Sequence, residues 1–310
     1  MPDTDLRVHP TASPRLSTLL GVPIREDTLT TNQRGEEKPG IRKRSQEMLE
    51  KLQEVLRKAL GPEEVVLYVA RCQAPVSPFE QLTFGWYIYY VTATVLVFTN
   101  RRLLHFDVTR KGTWKRMLRT VSWGDIDQAK VTGWLSKYLE LKYRTGKKER
   151  YWRLSREDGN KIKVLLDAIF AAGGRESTAA ETVTSLCPDC LAELALRVYN
   201  CPRCGLVFKD EKTMVRRSLL IPGGGYFYTG HWFLAVGDFL VEAYLLVLVI
   251  VFALFAVGAL VDTSTEPGAA PLAGGTAWIA AGFVAAILAV EKLLTIHHCK
   301  RFVRAFVPSK

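Results

Sequence analysis

Residues 93–106, ATVLVFTNRRLLHF, consist of two apolar runs rich in β-branched residues on either side of a short polar turn. Such residues suit a pleated surface, and the polar pair between the runs favours a reversal of the chain. We predict a strand over Trp86–Phe98, a turn at Asn100-Arg101 and a returning strand over Leu103–Val108. This hairpin is the centre from which we predict the rest of the domain.

Similar short runs lie on both sides of this hairpin, most of them separated by glycines. They are Glu64–Ala70, Met117–Trp123, Ala129–Val131, Leu139–Tyr143 and Arg150–Leu154. Apolar residues at helical spacing then predict a helix from Asp158 to Ala172. Many short antiparallel strands followed by one helix indicate an α+β domain, a small antiparallel β-barrel or sandwich with a C-terminal helix.

The residues before this domain divide into two parts. Residues 1–40 contain few periodic apolar side chains and no apolar core typical of a secretory signal, so we expect a disordered tail. Residues 41–61 carry apolar side chains at helical spacing, among them Leu49, Leu52 and Leu56. They predict an amphipathic helix that ends at Gly61-Pro62, because proline cannot continue it.

The 93–106 hairpin resembles the strand–turn–strand signature of bacterial pleckstrin-homology-like (PH-like) and GRAM-like domains. The resemblance extends over residues 63–172. It implies a seven-stranded, half-open barrel capped by one C-terminal helix, and binding of a lipid headgroup or a protein without catalysis. Because one fold serves many functions, the resemblance does not imply a particular ligand.

The chain is basic, and most of the excess charge is local. Of its 310 residues, 42 are Lys or Arg and 31 are Asp or Glu, a net charge of +11. The stretch Arg101 to Arg153 contains fifteen basic and five acidic residues, and so carries +10 by itself. This stretch is either a solvated face or a surface for an anionic headgroup or a protein partner, and the uneven charge favours the second interpretation. The candidate binding residues are Arg110, Lys111, Lys115, Arg116, Arg119, Lys147 and Lys148.

Two CxxC pairs, Cys187-Pro-Asp-Cys190 and Cys201-Pro-Arg-Cys204, are separated by ten residues. Each pair turns the chain so that two thiolates face one point, and four thiolates suit tetrahedral zinc. The pairs resemble a short zinc ribbon, which we place at residues 186–208 after a linker over residues 173–185. Leu191 departs from that pattern, since the first knuckle often has glycine there.

A metal held by four cysteines has no open coordination position, so we expect a structural zinc cofactor. Recognition of nucleic acid or protein by the ribbon is the alternative. The strand between the knuckles offers only Arg197 as a basic residue, which argues against nucleic acid. Six cysteines in a chain of this length are also too few for a disulfide framework.

The last eighty residues contain two long apolar segments. Ala243–Val261 has 19 consecutive uncharged residues and Pro267–Val290 has 24, enough for two membrane-spanning helices. We predict a first span over residues 232–261, a non-cytoplasmic loop over 262–275, a second span over 276–296 and a basic cytoplasmic tail over 297–310. Basic residues flank both ends of this hairpin and are absent from its loop, so both termini should be cytosolic.

A glycine-rich motif precedes the first span, within an interfacial segment that we place at residues 214–231. Its residues are Pro222, Gly223, Gly225, Tyr228 and Gly230. It resembles the PGxGxxYxG element of small two-helix membrane hairpins, in which glycines allow close backbone approach. Tyr226, Tyr228 and Trp232 are expected at headgroup depth.

Asp238 and Glu242 are four residues apart and share one face at the start of the first span. They are either interfacial carboxylates, the interpretation we favour, or an intramembrane cation or proton site.

These observations favour a non-enzymatic, membrane-anchored adaptor that binds anionic lipid or a protein partner, with the bulk of the chain in the cytoplasm at a bacterial inner membrane. The first alternative is a subunit of a membrane transport or channel assembly that uses Asp238 and Glu242. The second is membrane-tethered nucleic-acid binding through the ribbon and the basic strands. The sequence is compatible with oligomerisation and does not specify it.

Overall fold

The computed structural model describes residues 15–134, 136–172, 177, 183–261 and 269–309. These residues form two compact units that divide between Leu206 and Val207. The first unit is mixed α+β with a largely antiparallel sheet, and the second is helical.

The described residues of the first unit form eleven strands. In chain order they are β1 Leu16–Leu19, β2 Val22–Arg25, β3 Val66–Gln73, β4 Ala93–Thr99, β5 Arg102–Val108, β6 Trp114–Ser122, β7 Ile126–Thr132, β8 Lys137–Tyr143, β9 Lys148–Leu154, β10 Thr184–Leu186 and β11 Glu193–Leu194.

The strands pair in the order β11-β10-β6-β5-β4-β3-β9-β8-β7, and β2 is attached to β3. The pairing is antiparallel along this path, whereas β2 and β3 are parallel. The 93–106 hairpin is confirmed as β4 and β5, with Val97 opposite Leu104.

Both faces of the central strands are buried. In β4, Leu96 and Phe98 belong to one apolar core together with α5 residues such as Leu165, while Val95 and Val97 belong to a second core. Alternate side chains of a strand point to opposite faces, so the uninterrupted apolar run of β4 serves two cores at once.

Nine α-helices complete the described part of the chain. They are α1 Glu26–Leu29, α2 Pro39–Ala59, α3 Pro78–Phe84, α4 Ile88–Val91, α5 Arg156–Ala171, α6 Glu211–Leu220, α7 Gly224–Thr229, α8 Trp232–Val261 and α9 Ala269–Arg304. Helix α2 buries Leu49, Leu52 and Leu56 in the second core, on the face that the apolar spacing indicates.

The expectation of a disordered tail over residues 1–40 is wrong for residues 15–40, which are folded. Strands β1 and β2 form a hairpin there, and Val22, Ile24 and Leu29 are buried in or beside the second core. The apolar residues are few, but β2 aligns with β3 and brings them under α2. Residues 1–14 of that expected tail lie outside the described residues.

The strand expected over Trp86–Phe98 is wrong in its first part. Residues 78–91 form α3, a 3₁₀ turn at Gly85–Tyr87 and α4, and the strand begins only at Ala93. A capping box starts this helical segment: Ser77 Oγ accepts from the Glu80 amide, and Glu80 Oε2 accepts from the Ser77 amide. Local capping here outweighs the β-propensity of the aromatic residues.

The second unit contains two helices long and apolar enough to cross a membrane, with candidate spans at Trp232–Gly258 and Gly274–Arg304. The predicted loop and tail both need correction. Helix α9 already begins at Ala269, inside the expected loop of residues 262–275, of which 262–268 lie outside the described residues. It also continues to Arg304, beyond the expected span.

The expected basic tail of residues 297–310 is folded within this unit. Cys299, Phe302 and Val303 are buried, which explains why the helix continues past residue 296. After the helix, Lys209 donates its amide to the Val307 carbonyl and Ser309 donates to the Val207 carbonyl. The basic residues of this segment therefore alternate with apolar residues that pack.

Candidate functional site

The helical segment 78–91 forms one wall of an open cleft in the first unit. The cleft has a volume of about 570 Å³. Its lining residues are Arg44, Arg71, Cys72, Gln73, Trp86, Tyr89, Tyr90, Ala93, Arg110, Arg153, Ser155 and Asp158. Four arginines and three aromatic rings therefore face the same space.

Three of the arginines retain their charge without a carboxylate partner. Arg71 donates to the backbone carbonyl of Arg110, and Arg110 donates to the Tyr90 hydroxyl at 2.8 Å. The guanidinium of Arg153 lies 4.5 Å from the centre of the Tyr89 ring. Within the described part of the chain, none of these three guanidiniums has a carboxylate within 4.0 Å.

The fourth arginine is neutralised at the edge of the cleft. Arg44 Nη2 lies 2.7 Å from Asp158 Oδ1, which also accepts from the Tyr68 hydroxyl at 2.8 Å. Ser155 donates to the other oxygen of Asp158 at 2.7 Å. The lining carries four positive charges and one negative charge, a net +3 that is available to an anion.

The backbone of Arg153 is strained at this site. Its φ is +58°, a left-handed conformation that costs free energy for a residue with a side chain. The conformation directs the Arg153 guanidinium to Tyr89 at the cleft rather than continuing the alternation of β9. Strain of this kind is concentrated at functional sites.

Cys72 also lines the cleft but is almost completely buried. Burial raises the pKa of its thiol, and the nearby carboxylates Asp107 and Asp158 raise it further. A thiol that stays protonated is a poor nucleophile, so Cys72 contributes to packing rather than covalent chemistry.

The structure gives the predicted basic residues different surroundings. Arg119 pairs with Asp107 at 2.7 Å and Arg116 with Asp189 at 2.6 Å, so both have a local carboxylate. Lys115 donates to the carbonyl of Tyr90 at 3.3 Å, and burial lowers the pKa of its ammonium group. These three residues hold the fold together at the end of the cleft wall.

The other predicted basic residues are exposed. Arg110 lies in the cleft, and Lys111 lies beside it in the turn between β5 and β6. Lys147 and Lys148 lie at the turn between β8 and β9 and do not line the cleft. Of the seven candidates, only Arg110 belongs to the cleft.

Five other cleft residues were missed by sequence reasoning: Arg71, Trp86, Tyr89, Tyr90 and Arg153. The aromatic residues were assigned to a strand, which would have separated them from the arginines. The signal that could have found them is Ser77-Pro78-Phe79-Glu80, a capping box with proline at the first helical position.

The four cysteines of the two knuckles form a compact cluster. The Sγ atom of each cysteine lies within 4.8 Å of the other three Sγ atoms. Cys187 Sγ is 3.5 Å from Cys204 Sγ, and Cys190 Sγ is 3.4 Å from Cys201 Sγ. A cluster of this kind is compatible with a bound metal ion.

Backbone hydrogen bonds shape both knuckles in the same way. The Leu191 amide donates to the Cys187 carbonyl, and the Gly205 amide donates to the Cys201 carbonyl, each at 2.9 Å. Leu191 and Gly205 have φ values of +60° and +73°. The first knuckle therefore adopts the usual backbone turn even though leucine stands where glycine is favoured.

Backbone donors also favour a thiolate in this cluster. Although burial opposes the shift, the amides of Cys204 and Arg203 help to lower the pKa of the Cys201 thiol to about 6. Metals bind the thiolate form of cysteine.

The cysteine cluster is attached to the edge of the sheet. Strand β10 pairs with β6, and β11 pairs with β10. The linker expected over residues 173–185 is therefore shorter, since Thr184 and Ser185 already belong to β10. Residues 173–176 and 178–182 of that linker lie outside the described residues.

In the second unit, the glycines of the membrane motif lie where side chains do not fit. Gly223 has a φ of +65°, and a Cβ there would be 2.4 Å from the Ala235 carbonyl oxygen. A Cβ on Gly225 would be 2.2 Å from Ser218 Oγ and 3.0 Å from Cys299 Sγ. These contacts agree with the close approach expected of the motif.

The tyrosines of the motif have protein partners. The Tyr228 hydroxyl accepts from the Asp210 amide at 3.0 Å, and Tyr226 is buried with its hydroxyl 2.8 Å from His298 Nδ1. Tyr226 thus packs inside the second unit, whereas Trp232 is exposed.

Asp238 and Glu242 are joined by a third carboxylate that sequence reasoning did not consider. Glu291 of α9 lies with them, one carboxylate oxygen of each within 4.8 Å of the others. Glu242 is buried within the second unit and pairs with Lys292 at 2.6 Å.

Comparisons of this chain with profiles of known protein families, with curated proteins and with solved structures found no significant match.

Proposed function

We propose that this protein is a non-enzymatic, membrane-anchored adaptor whose first unit binds an anionic lipid headgroup in the arginine cleft. The observation that carries this proposal is the convergence of Arg71, Arg110 and Arg153, without carboxylate partners, on one aromatic-walled space. Guanidinium groups bind phosphate oxygens in a planar, two-point geometry, which makes them suited to a phosphodiester headgroup.

The other wall of the cleft suits the less polar part of a lipid. Trp86, Tyr89 and Tyr90 line the space, and Leu82 on the same helical segment is 80% exposed. Aromatic rings are stable at the level of lipid headgroups, and an exposed leucine gains free energy when it enters the acyl region. A cleft volume of about 570 Å³ lies in the ordinary range for small-ligand sites.

The strand connectivity supports a PH-like assignment for residues 63–172. Strands β3 to β9 form two antiparallel meanders that meet where β3 pairs with β9, and helix α5 follows directly. Seven strands and one C-terminal helix are what the resemblance of the 93–106 hairpin implies. The assignment rests on this topology together with that hairpin.

The membrane anchor in this proposal is the helical pair α8 and α9. Within the candidate spans most side chains are exposed, among them Leu240, Ile250 and Ile279. A buried helix of a soluble protein would cover such residues, so a lipid environment suits them better. With both termini cytosolic, the anchor would keep the cleft on the side of the anionic leaflet.

Zinc is the metal we propose for the cysteine cluster. A tetrahedron with zinc–sulfur bonds of about 2.3 Å places its sulfurs about 3.8 Å apart, close to the spacing of the four thiols. All four ligands would come from Cys187, Cys190, Cys201 and Cys204. The metal would then hold β10 and β11 on the sheet edge, a structural role.

The test is binding of a soluble anionic lipid to the purified full-length chain in mild detergent. The probe is dihexanoyl phosphatidylglycerol, measured by calorimetry at low salt. We expect binding to the unmodified chain and a loss of at least about tenfold in affinity in the double variant Arg71→Gln/Arg153→Gln, because two charge-assisted hydrogen bonds are lost.

The matched control is Lys147→Gln/Lys148→Gln, which removes the same charge from the turn between β8 and β9. We expect its affinity to stay within about threefold of the unmodified chain, since only long-range attraction is reduced. An equal loss in both double variants would contradict the cleft. A stoichiometric protein that co-purifies with the chain, with no lipid bound, would favour the protein-partner alternative instead.

A further inference from the structure

Three acidic side chains from two apolar helices meet in the second unit. Asp238 and Glu242 come from α8 and Glu291 comes from α9, with one carboxylate oxygen of each within 4.8 Å of the others. Thr295 lies between two of them: its hydroxyl is 3.0 Å from Asp238 Oδ1 and 2.9 Å from Glu291 Oε1. Acidic residues in apolar helices are costly to bury and mark functional sites by default.

Glu242 is the most deeply buried of the three, with only 1% of its surface exposed. Its Oε2 atom accepts from the Gly223 amide at 2.8 Å and from Lys292 Nζ at 2.6 Å. Its Oε1 atom is buried without a hydrogen-bond partner. One oxygen of this carboxylate is therefore held in position while the other is left to face a ligand.

The other two carboxylates repeat this arrangement. Asp238 Oδ2 and Glu291 Oε2 are each buried and have no hydrogen-bond partner among the described residues. A buried carboxylate oxygen without a donor loses its hydration without compensation. Three such oxygens in one cluster require positive charge that the described side chains do not fully supply.

The charge balance indicates what is needed. Counted as ionised, the three carboxylates carry −3 against +1 from the Lys292 ammonium, which would leave −2 in the cluster. Lys292 also uses one of its donors outside the cluster, since its ammonium group donates to the Ser218 carbonyl as well as to Glu242. One divalent cation would neutralise the remaining charge and could be bound by one oxygen from each of the three carboxylates.

We propose that Asp238, Glu242 and Glu291 form a binding site for a hard divalent cation, such as Mg²⁺, Mn²⁺ or Ca²⁺, within the helical hairpin. Carboxylate oxygens are the ligands that these ions prefer, and no thiol or imidazole belongs to the cluster among the described residues. This site goes beyond the adaptor function and is independent of the arginine cleft.

The glycine-rich motif has a role in this site. The Gly223 amide reaches Glu242 because its backbone packs directly against α8, where a Cβ would meet the Ala235 carbonyl oxygen at 2.4 Å. A larger residue at this position would displace the amide. The motif therefore positions Glu242, the residue on which the site depends.

The test is Mn²⁺ binding to the full-length, zinc-loaded chain in detergent, followed by electron paramagnetic resonance of free Mn²⁺. We expect one bound Mn²⁺ per chain, displaced by Mg²⁺ or Ca²⁺ and weakened at least about tenfold in Glu291→Gln and Asp238→Asn. Both variants retain the pair between Glu242 and Lys292, so they should fold even if a Glu242→Gln variant does not.

The matched control is Glu211→Gln, which removes a carboxylate of the same unit that pairs with Arg304 outside the cluster. Its Mn²⁺ affinity should equal that of the unmodified chain. Absence of bound Mn²⁺, or equal affinity in all variants, would overturn the proposal. Carboxylates that hold protons in place of a metal would also overturn the proposal. A pH titration would then show protons bound by the cluster in an amount that added Mn²⁺ does not change. None of these results depends on lipid binding by the cleft.

Discussion

Leu191 and Gly205 occupy the same position in the two cysteine knuckles. They show that different amino acids can adopt the same backbone conformation there. Both lie in the left-handed region and both donate their amides back to the first cysteine of the knuckle. The left-handed conformation is less favourable in free energy for leucine than for glycine. This difference is offset because the Leu191 side chain packs against the second core. Gly205 has no such contact, and space is open around it.

The variant Gly205→Ala therefore measures the free-energy cost of a left-handed backbone conformation at this position, without the effect of a new side-chain contact. A Cβ at this position meets nothing within 4 Å, so we expect only the penalty for a left-handed alanine, about 1 kcal/mol. If zinc requires this knuckle, its apparent affinity should fall about fivefold in a competition against a chromogenic chelator. Gly40→Ala is the control, since Gly40 also has open space but lies in α2. Unchanged affinity in Gly205→Ala would contradict the left-handed turn.

At the scale of elements, the helical segment 78–91 decides whether the cleft exists. If Trp86–Val91 continued the strand, alternate aromatic side chains would face opposite sides of the sheet. In the structure Trp86, Tyr89 and Tyr90 line one space, and Arg110 and Arg153 lie against the tyrosine rings. The cleft is therefore a product of the helix start at Ser77.

Ser77→Ala tests this dependence on the cap. Removal of the side-chain acceptor should destabilise α3 by about 1 kcal/mol. We expect hydrogen exchange across residues 78–91 to become about fivefold faster while exchange in β4 and β5 is unchanged. Gln81→Ala is the control, because Gln81 is exposed on the same helix and alanine favours the helical state. Equal protection in Ser77→Ala and the unmodified chain would show that the cap does not hold this segment.

At the scale of the whole molecule, the chain joins a basic α+β unit to a helical hairpin with opposite surface character. The hairpin exposes apolar side chains along α8 and α9, whereas basic residues of the first unit such as Arg110, Lys147 and Lys148 are exposed. Basic residues in α6 and at the end of α9 lie at the two ends of the hairpin. This distribution predicts that both termini share one side of the membrane.

Labelling with a membrane-impermeant maleimide tests the topology. We expect Ser264→Cys to react in right-side-out vesicles and Ser309→Cys to react only in inverted vesicles, each above the background of the native cysteines. Residue 264 belongs to the segment without Lys or Arg, whereas residue 309 is next to Lys310. Reaction of both variants from the same side would contradict a two-pass hairpin.

The sequence alone determined the features that depend on local patterns. Short runs bounded by turn residues located β5 and β8, helical spacing located α2 and α5, and the length of the apolar segments located the two candidate spans. The CxxC spacing determined the cysteine cluster, because two cysteines in one tight turn have few ways to point apart.

Only the tertiary structure decided which distant residues meet. Arg71 and Arg153 are 82 positions apart in the chain, and they line one cleft because β3 pairs with β9. Glu291 joins Glu242 only because α8 and α9 pack as a hairpin. The order of residues determines side-chain chemistry and local spacing. Convergence of charges depends on strand pairing and helix packing, and these cannot be predicted from a local pattern.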